Sequence, residues 1–416
     1  MPLDNPHILI IGLVWPEPDS TGASQRIMEY IALFQRKKWN ITFACPAIKN
    51  KASTPLNKLG VFTQEIALNC SSFDDFLADL EPDIVLFDRF MVEEQFGWRV
   101  AKACPDALRI LETIDLHCLR EARHQALKRK QPFTSNMLNN DIALREIASI
   151  YRSDLSIIIS SHEYELLQSH FGIDKHLLHL CPFMLEAPNH KMLPSFEQRA
   201  HFISIGNFRH APNWDAVLWL KEEIWPLIRK QLPQAELHIY GAYTPPKATA
   251  LHNPKEGFLI KNRAEDVQEV MSKARVHLAP LRFGAGLKTK LADAMRFGTP
   301  SVTTNIGVEG MTNGLDWAGS IEDEPKAFAD AAVALYQNKA AWQQAQEHGY
   351  HIVNSWFNQA HHQQRLWQKI SELQEKLAAH RQQNFIGQML NHHHHRSTEF
   401  MSRWIEAKHK THAHRM

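Results

Sequence analysis

No uninterrupted apolar run in the sequence reaches the ~20 residues that a membrane-spanning helix needs, and the N-terminal residues do not follow a signal-peptide pattern. The stretch HILIIGL (7–13) is too short to span, and it falls where a first buried strand would begin. Cysteine is sparse: Cys45, Cys70, Cys104, Cys118 and Cys181 are five in 416 residues, an odd number without a C-x-x-C pair. That excludes a disulfide scaffold or a zinc ribbon, and the thiols read as reduced and cytoplasmic. Excess charge is also missing. With 46 Lys and Arg against 45 Asp and Glu, the net charge of +1 argues against a surface built to grip nucleic acid. The sequence contains no Ser–His–Asp ordering, no metalloprotease helix and no D-x-D metal pair. FDD (73–75) and EDE (322–324) read as solvated helix starts.

What is there alternates. Short apolar runs, HILII (7–11), NITFACP (40–46), DIVLFD (83–88), LRILET (108–113) and LSIIIS (155–160), are separated by helical patterns such as residues 22–38. Continuous apolar strands interleaved with helices imply a buried parallel sheet. The pattern breaks at 182–199, which carries Pro182, Pro188 and Pro194. It restarts with HFISIG (201–206), AELHIYG (235–241), VHLAP (276–280) and PSVTT (300–304). The expected fold class is therefore α/β, with two Rossmann-like doubly wound domains and a C-terminal helical extension. The expected divisions are 1–185, 186–352, a helix over 353–378 returning to the first domain, and a tail over 379–416. In such sheets ligands sit beyond the carboxyl ends of the strands, so the natural site is the cleft between the domains.

The segment RFGAGLKTKLADAMRFGTPSVTT (282–304) offers chemistry for that cleft. Gly284 and Gly286, just before a helix, let the backbone approach a ligand, and the first amides of a helix favour an anion. Lys288 and Lys290 add positive charge against a diphosphate, and Asp293 could accept hydrogen bonds from sugar hydroxyls. A lone G-x-G also fits a plain strand–helix turn with solvated lysines.

Four ordered segments add weight. ISIGNFRHAPNWDAVLWLKEEIWPLIRKQLPQAELHIYG, GFLIKNRAEDVQEVMSKARVHLAPLRFGAGLKTKLADAMRFGTPSVTTNIGVEGM, the N-terminal ILIIGLVWPEPDSTGASQR and RILETIDLHCLREAR together resemble the family 4 glycosyltransferases of the two-domain GT-B fold, over roughly residues 7 to 375. The resemblance implies a retaining transferase that takes a sugar from a nucleotide-diphosphate sugar bound by the second domain and passes it to an acceptor on the first. It implies that Gly22 faces the donor phosphates, that His117 sits beside the transferred sugar, and that Arg209 with Lys288 or Lys290 neutralises the diphosphate. Asp293 stands where the family's E-x7-E motif has its ribose-binding second glutamate. Ala285 stands where the first glutamate belongs, and Asn213 replaces a usual basic residue after Gly206. Neither a metal nor a cofactor is expected, since the lysine–arginine set can stabilise the leaving group. A nucleotide-sugar 2-epimerase and a non-catalytic sugar-nucleotide-binding scaffold are the rival readings, the second prompted by Ala285. A bacterial glycan is the expected setting, with a glycan or lipid-linked acceptor and a place in the cytoplasm or at the inner membrane face.

Two features lie outside the motifs. The run REARHQALKRKQ (120–131) puts Arg120, Arg123, Lys128, Arg129 and Lys130 on a helix, as a solvated face or one attracted to anionic lipid. Asp115, just before it, reads equally as a helix cap or a site residue, and Glu309 as a turn or a site residue. The tail carries six Lys or Arg against two acids, with Phe385, Ile386, Met389, Leu390 and Phe400, Met401, Trp404, Ile405 flanking NHHHH. That spacing fits amphipathic helix, docked on a partner, on a membrane or on the protein's own surface. Adjacent histidines on a helix point in different directions and make no tetrahedral metal set.

Overall fold

The computed structural model describes residues 6–187 and 193–413. Seven strands form the first sheet: β1 (His7–Ile11), β2 (Asn40–Cys45), β3 (Phe62–Glu65), β4 (Ile84–Asp88), β5 (Leu108–Glu112), β6 (Leu155–Ile158) and β7 (Leu178–Leu180). They lie in the order β3-β2-β1-β4-β5-β6-β7 and every pairing is parallel. The second sheet holds β8 (Ala200–Ile205), β9 (Leu237–Tyr240), β10 (Phe258–Asn262), β11 (Ala274–Ala279), β12 (Ser301–Thr303) and β13 (Gly319–Ile321), in the order β10-β9-β8-β11-β12-β13, again all parallel.

The apolar runs explain the layers. Side chains alternate across a strand, so Ile8 and Ile10 enter one core while Leu9 and Ile11 enter the core on the opposite face of the same sheet. Both faces of β1 are thereby dry, and this is why its sequence is apolar without interruption. β3, the edge strand FTQE, is mostly exposed and has no apolar run to betray it. The three-residue β7 and β13 escaped the sequence reading because they are too short to show a run, β7 although it is largely buried.

The helix expected from residue 353 is broken. A helix over Lys339–Ser355 ends, and a new one over Gln359–Glu375 begins with Asn358 accepting from the His361 amide at 2.9 Å. The second helix returns to the first domain, where Leu366, Ile370 and Leu373 join the core around Ile8 and Ile10. A short helix, Leu377–Gln383, brings Arg381 onto both oxygens of Asp154 at 2.7 and 2.8 Å. The chain then continues as one helix, Phe385–Ala413, against the helices Phe90–Ala103 and Asp141–Arg152 of the first domain. Of the expected linker, Pro182 and Pro194 are described and Pro188 lies outside the described residues. So do the side chains of His394, His395, His412 and His414 from the histidine-rich tail.

Candidate active site between the two domains

In each sheet the chain leaves the central strand pair in opposite directions, which opens a crevice at the carboxyl ends. The loops after β1 and β5 line one wall, and those after β8 and β11 the other. Between them lies a cavity of about 440 Å³, within the range of ligand clefts.

Of the residues singled out from sequence, Gly22, His117, Arg209, Gly284, Lys288, Lys290 and Asp293 all line this cavity; Gly286 does not. Gly22 opens the helix Gly22–Arg36, with Thr21 as its N-cap, at a point where a Cβ would collide with the Thr289 hydroxyl across the cleft. Glycine is required there because two helices from different domains meet. Gly286, at φ 63°, lies under the other domain, and a Cβ on it would come within 2.7 Å of the Asp115 Cβ. Its role is close packing in a left-handed turn, not direct contact with a ligand in the cavity.

The two lysines separate in role. The helix Thr289–Arg296 begins after Lys288, whose ammonium donates to the Gly286 carbonyl at 2.7 Å and is 7% exposed. Burial lowers its pKa, against the pull of the Glu309 and Glu163 carboxylates. Lys290, one turn position on, donates to Asn213 Oδ1 at 2.6 Å, and burial pulls its pKa down to about 7. A Cβ at Gly206 would lie 2.8 Å from the Lys290 ammonium. Gly206, just after β8, thus lacks a side chain so that Lys290 and Asn213 can close on the strand tip. Burial also pushes the Asp293 carboxyl up to about 7, with Arg296 and a hydrogen bond to the Gln25 side chain opposing it. Arg209 is exposed at the mouth, its guanidinium 3.7 Å above the Tyr243 ring.

His117 starts the helix His117–Lys128, with its ring edge-on to Phe90 and its Nε2 3.3 Å from Asp115 Oδ1. Asp115 is no cap, since the N-cap is Leu116. Its carboxylate pairs with Arg120 and lines the cavity. The preceding turn is tight: Ile114 has φ 64°, a left-handed conformation costly for a β-branched residue.

The basic run expected on one helix divides, since the helix ends at Lys128, and Arg129 and Lys130 lie beyond it. Lys128, Arg129 and Lys130 are exposed, whereas Arg120 enters the cavity and Arg123 is buried. Arg123 donates to the Gly284 carbonyl at 2.9 Å and to both oxygens of Glu309 at 2.7 Å. The buried Glu163 carboxylate accepts from the Gly286 amide at 2.6 Å and from the Leu116 amide at 3.1 Å. The turn Gly284–Ala285–Gly286 of the second domain is therefore held by Arg123 and Glu163 of the first. Ala285 packs on the first domain's apolar cluster in the same turn. At the mouth, Tyr243 donates to Glu17 at 2.8 and 3.0 Å, and Asn207 donates to Ser20 at 3.3 Å, so the loop after β1 crosses to the other domain. Sequence reasoning missed Arg123, Glu163, Gly206 and Glu17 as parts of the site. Only Gly206 carried a local signal, a glycine at a strand end.

Residues 199–338 match the family glycosyl transferases group 1. No curated sequence matches the chain. Among solved structures, a sucrose-phosphate synthase from Thermosynechococcus elongatus is 13% identical with a TM-score of 0.64, over 89% of this chain and 99% of that one. A glycosyltransferase from Rickettsia africae is 11% identical with a TM-score of 0.66, over 89% and 99% of the two chains. HepE of Anabaena, solved with UDP and glucose, is 11% identical with a TM-score of 0.64, over 88% and 99%. These likenesses carry the fold across both domains. Residues 199–338, in the second domain, thus match the glycosyl transferases group 1 family, and the chain as a whole shares the two-domain GT-B fold of these solved structures.

Proposed function

We propose that the protein transfers a sugar from a nucleotide-diphosphate sugar to an acceptor hydroxyl, with the donor held by the second domain. One observation carries this reading: Lys290, Arg209 and the first amides of the helix Thr289–Arg296 converge on one wall of an interdomain cavity. Cleaving the bond from sugar C1 to the diphosphate places negative charge on the leaving group, and fixed cations with helix amides lower that barrier. Lys290 and Arg209 neutralise the diphosphate, and Lys288, already on the Gly286 carbonyl, acts by fixing the loop. Gly22 and Gly284 bring backbone close to the phosphates. Asp293 receives the ribose hydroxyls in place of Gln25. His117, oriented by Asp115 and Phe90, stands by the transferred sugar.

The ligands of solved relatives support a uridine diphosphate sugar: HepE was solved with UDP and glucose, and the pneumococcal O-GlcNAc transferase GtfA with UDP and GlcNAc. WaaG, a glycosyltransferase involved in lipopolysaccharide biosynthesis, supports a bacterial glycan acceptor; a lipid-linked acceptor met at the inner face of a membrane is part of this reading. A surface contact through residues 379–416 belongs to the same reading.

Purified protein incubated with a panel of nucleotide sugars and acceptors tests the reaction. Acceptor-dependent release of nucleoside diphosphate, undiminished by EDTA, is expected. An altered sugar on an intact nucleotide would assign an epimerase instead, and binding without turnover a scaffold.

A further inference from the structure

The helix Phe385–Ala413 inverts the usual amphipathic arrangement. Its inward face buries the small Gly387 and Ser402 and half-buries Leu390 and Ile405, so most of the helix's large apolar side chains lie on the other side. Gly387 lies so close to the Tyr151 carbonyl that a Cβ would collide, and Ser402 accepts from Arg99 at 3.2 Å. Glu399 pairs with Lys102 at 3.1 Å, and Glu406 accepts from the Ser71 hydroxyl at 2.7 Å. The outward face holds Phe385, Ile386, Met389, Phe400, Met401 and Trp404, each between 44% and 73% exposed. At 3.6 residues per turn these six, with exposed Arg396, Arg403 and Lys408, fall within a sector of about 160°.

Charge is sorted as well. Glu399 and Glu406, the two carboxylates of the helix, contact Lys102 and Ser71 of the first domain and also pair with Arg403 at 2.6 Å and Lys410 at 2.9 Å one turn on, while exposed Arg396 and Lys408 stand with the aromatic side chains outward. The apolar surface is also split: a polar stretch with exposed His393, Arg396 and Ser397 separates the patch at 385–389 from that at 400–404. A helix bound in a protein groove needs an unbroken i, i+3, i+4, i+7 stripe. A headgroup layer accepts apolar patches with cations between them, and it favours a face free of acids when the lipid is anionic. Among the described residues no helix is long and apolar enough to cross a membrane.

We propose that this outer face lies flat on an anionic lipid bilayer, the aromatic and methionine side chains entering below the headgroups and the arginines meeting phosphates. The proposal deepens the surface contact named above and rests on that reading for its purpose, but its evidence is the helix itself. The first domain supplies the platform, so the helix is already formed before it meets lipid and no ordering cost falls on binding.

Co-sedimentation of the full chain with vesicles tests it, using phosphatidylcholine alone and phosphatidylcholine mixed with phosphatidylglycerol. Binding to the mixed vesicles is expected, weakened by salt, with little on the neutral ones. The double variant Phe400→Ser, Trp404→Ser should reduce partitioning by about tenfold or more. Both side chains are solvent-exposed, so its melting temperature and its thermal shift with uridine diphosphate should stay at wild-type values. Those two readouts separate a failed membrane proposal from a failed donor site. Equal binding to both vesicle types, no binding, or a dimer on gel filtration that the double variant disperses would each overturn it.

Discussion

At the residue scale the site turns on a lysine that is only marginally protonated at neutral pH. Burial holds Lys290 at about 7, and a diphosphate arriving beside it must raise that value. The protonated form binds the anion, so affinity is complete below pH 7. It should fall as pH rises above the free value, until the pKa of the bound form is reached. Titration calorimetry of uridine diphosphate in buffers of different ionisation enthalpy should show proton uptake near neutrality, and a pH-independent affinity between 7 and 9 would exclude Lys290 as the contact. Lys290→Ala and Arg209→Ala should each weaken nucleotide binding by about tenfold to a hundredfold, the worth of a charge-assisted contact. Their circular dichroism should match wild type, because neither side chain supports an apolar core.

At the scale of elements, the glycine turn after β11 belongs energetically to both domains. Arg123→Ala removes its donors from the Gly284 carbonyl and leaves the Glu309 carboxylate facing the interface without them. Loss of about 1.5–3 kcal/mol from the closed arrangement is expected, seen as a lower melting temperature together with slower transfer. Glu309→Gln should be milder, since a neutral acceptor remains; a silent Arg123→Ala would show that the turn holds itself. This grip also marks where the sequence stops being readable. The strands could be read because burial on both faces demands uninterrupted apolar runs, and the glycines could be read because a strand–helix turn that packs this closely leaves no room for a Cβ. Arg123 could not. It stands among five basic residues between positions 120 and 130, and its partner Glu309 is 186 positions away. The division of labour between Lys288 and Lys290 was hidden for the same reason, being set by Asn213 and Glu163 rather than by their spacing. The edge strand β3 was hidden by its exposure.

At the scale of the whole molecule, the chain's last segments differ in what they support. A protein ending after Gln383 keeps Leu366, Ile370 and Leu373 in the first core and Arg381 on Asp154. It should melt close to the full chain and still bind nucleotide. One ending after Asn358 uncovers that core and should be insoluble or strongly destabilised; a stable 1–358 fragment would show that the returning helix is dispensable. Between the domains, the contact of Gly22 with Thr289 sets the tolerance of the shut cleft at less than one methyl group. Gly22→Ala is then a wedge. It should prop the domains apart, raising the radius of gyration in X-ray scattering. Nucleotide would still bind the second domain, but transfer would slow because the two walls never meet. How closely the two walls can approach is thus set at this point by a side chain that is not there.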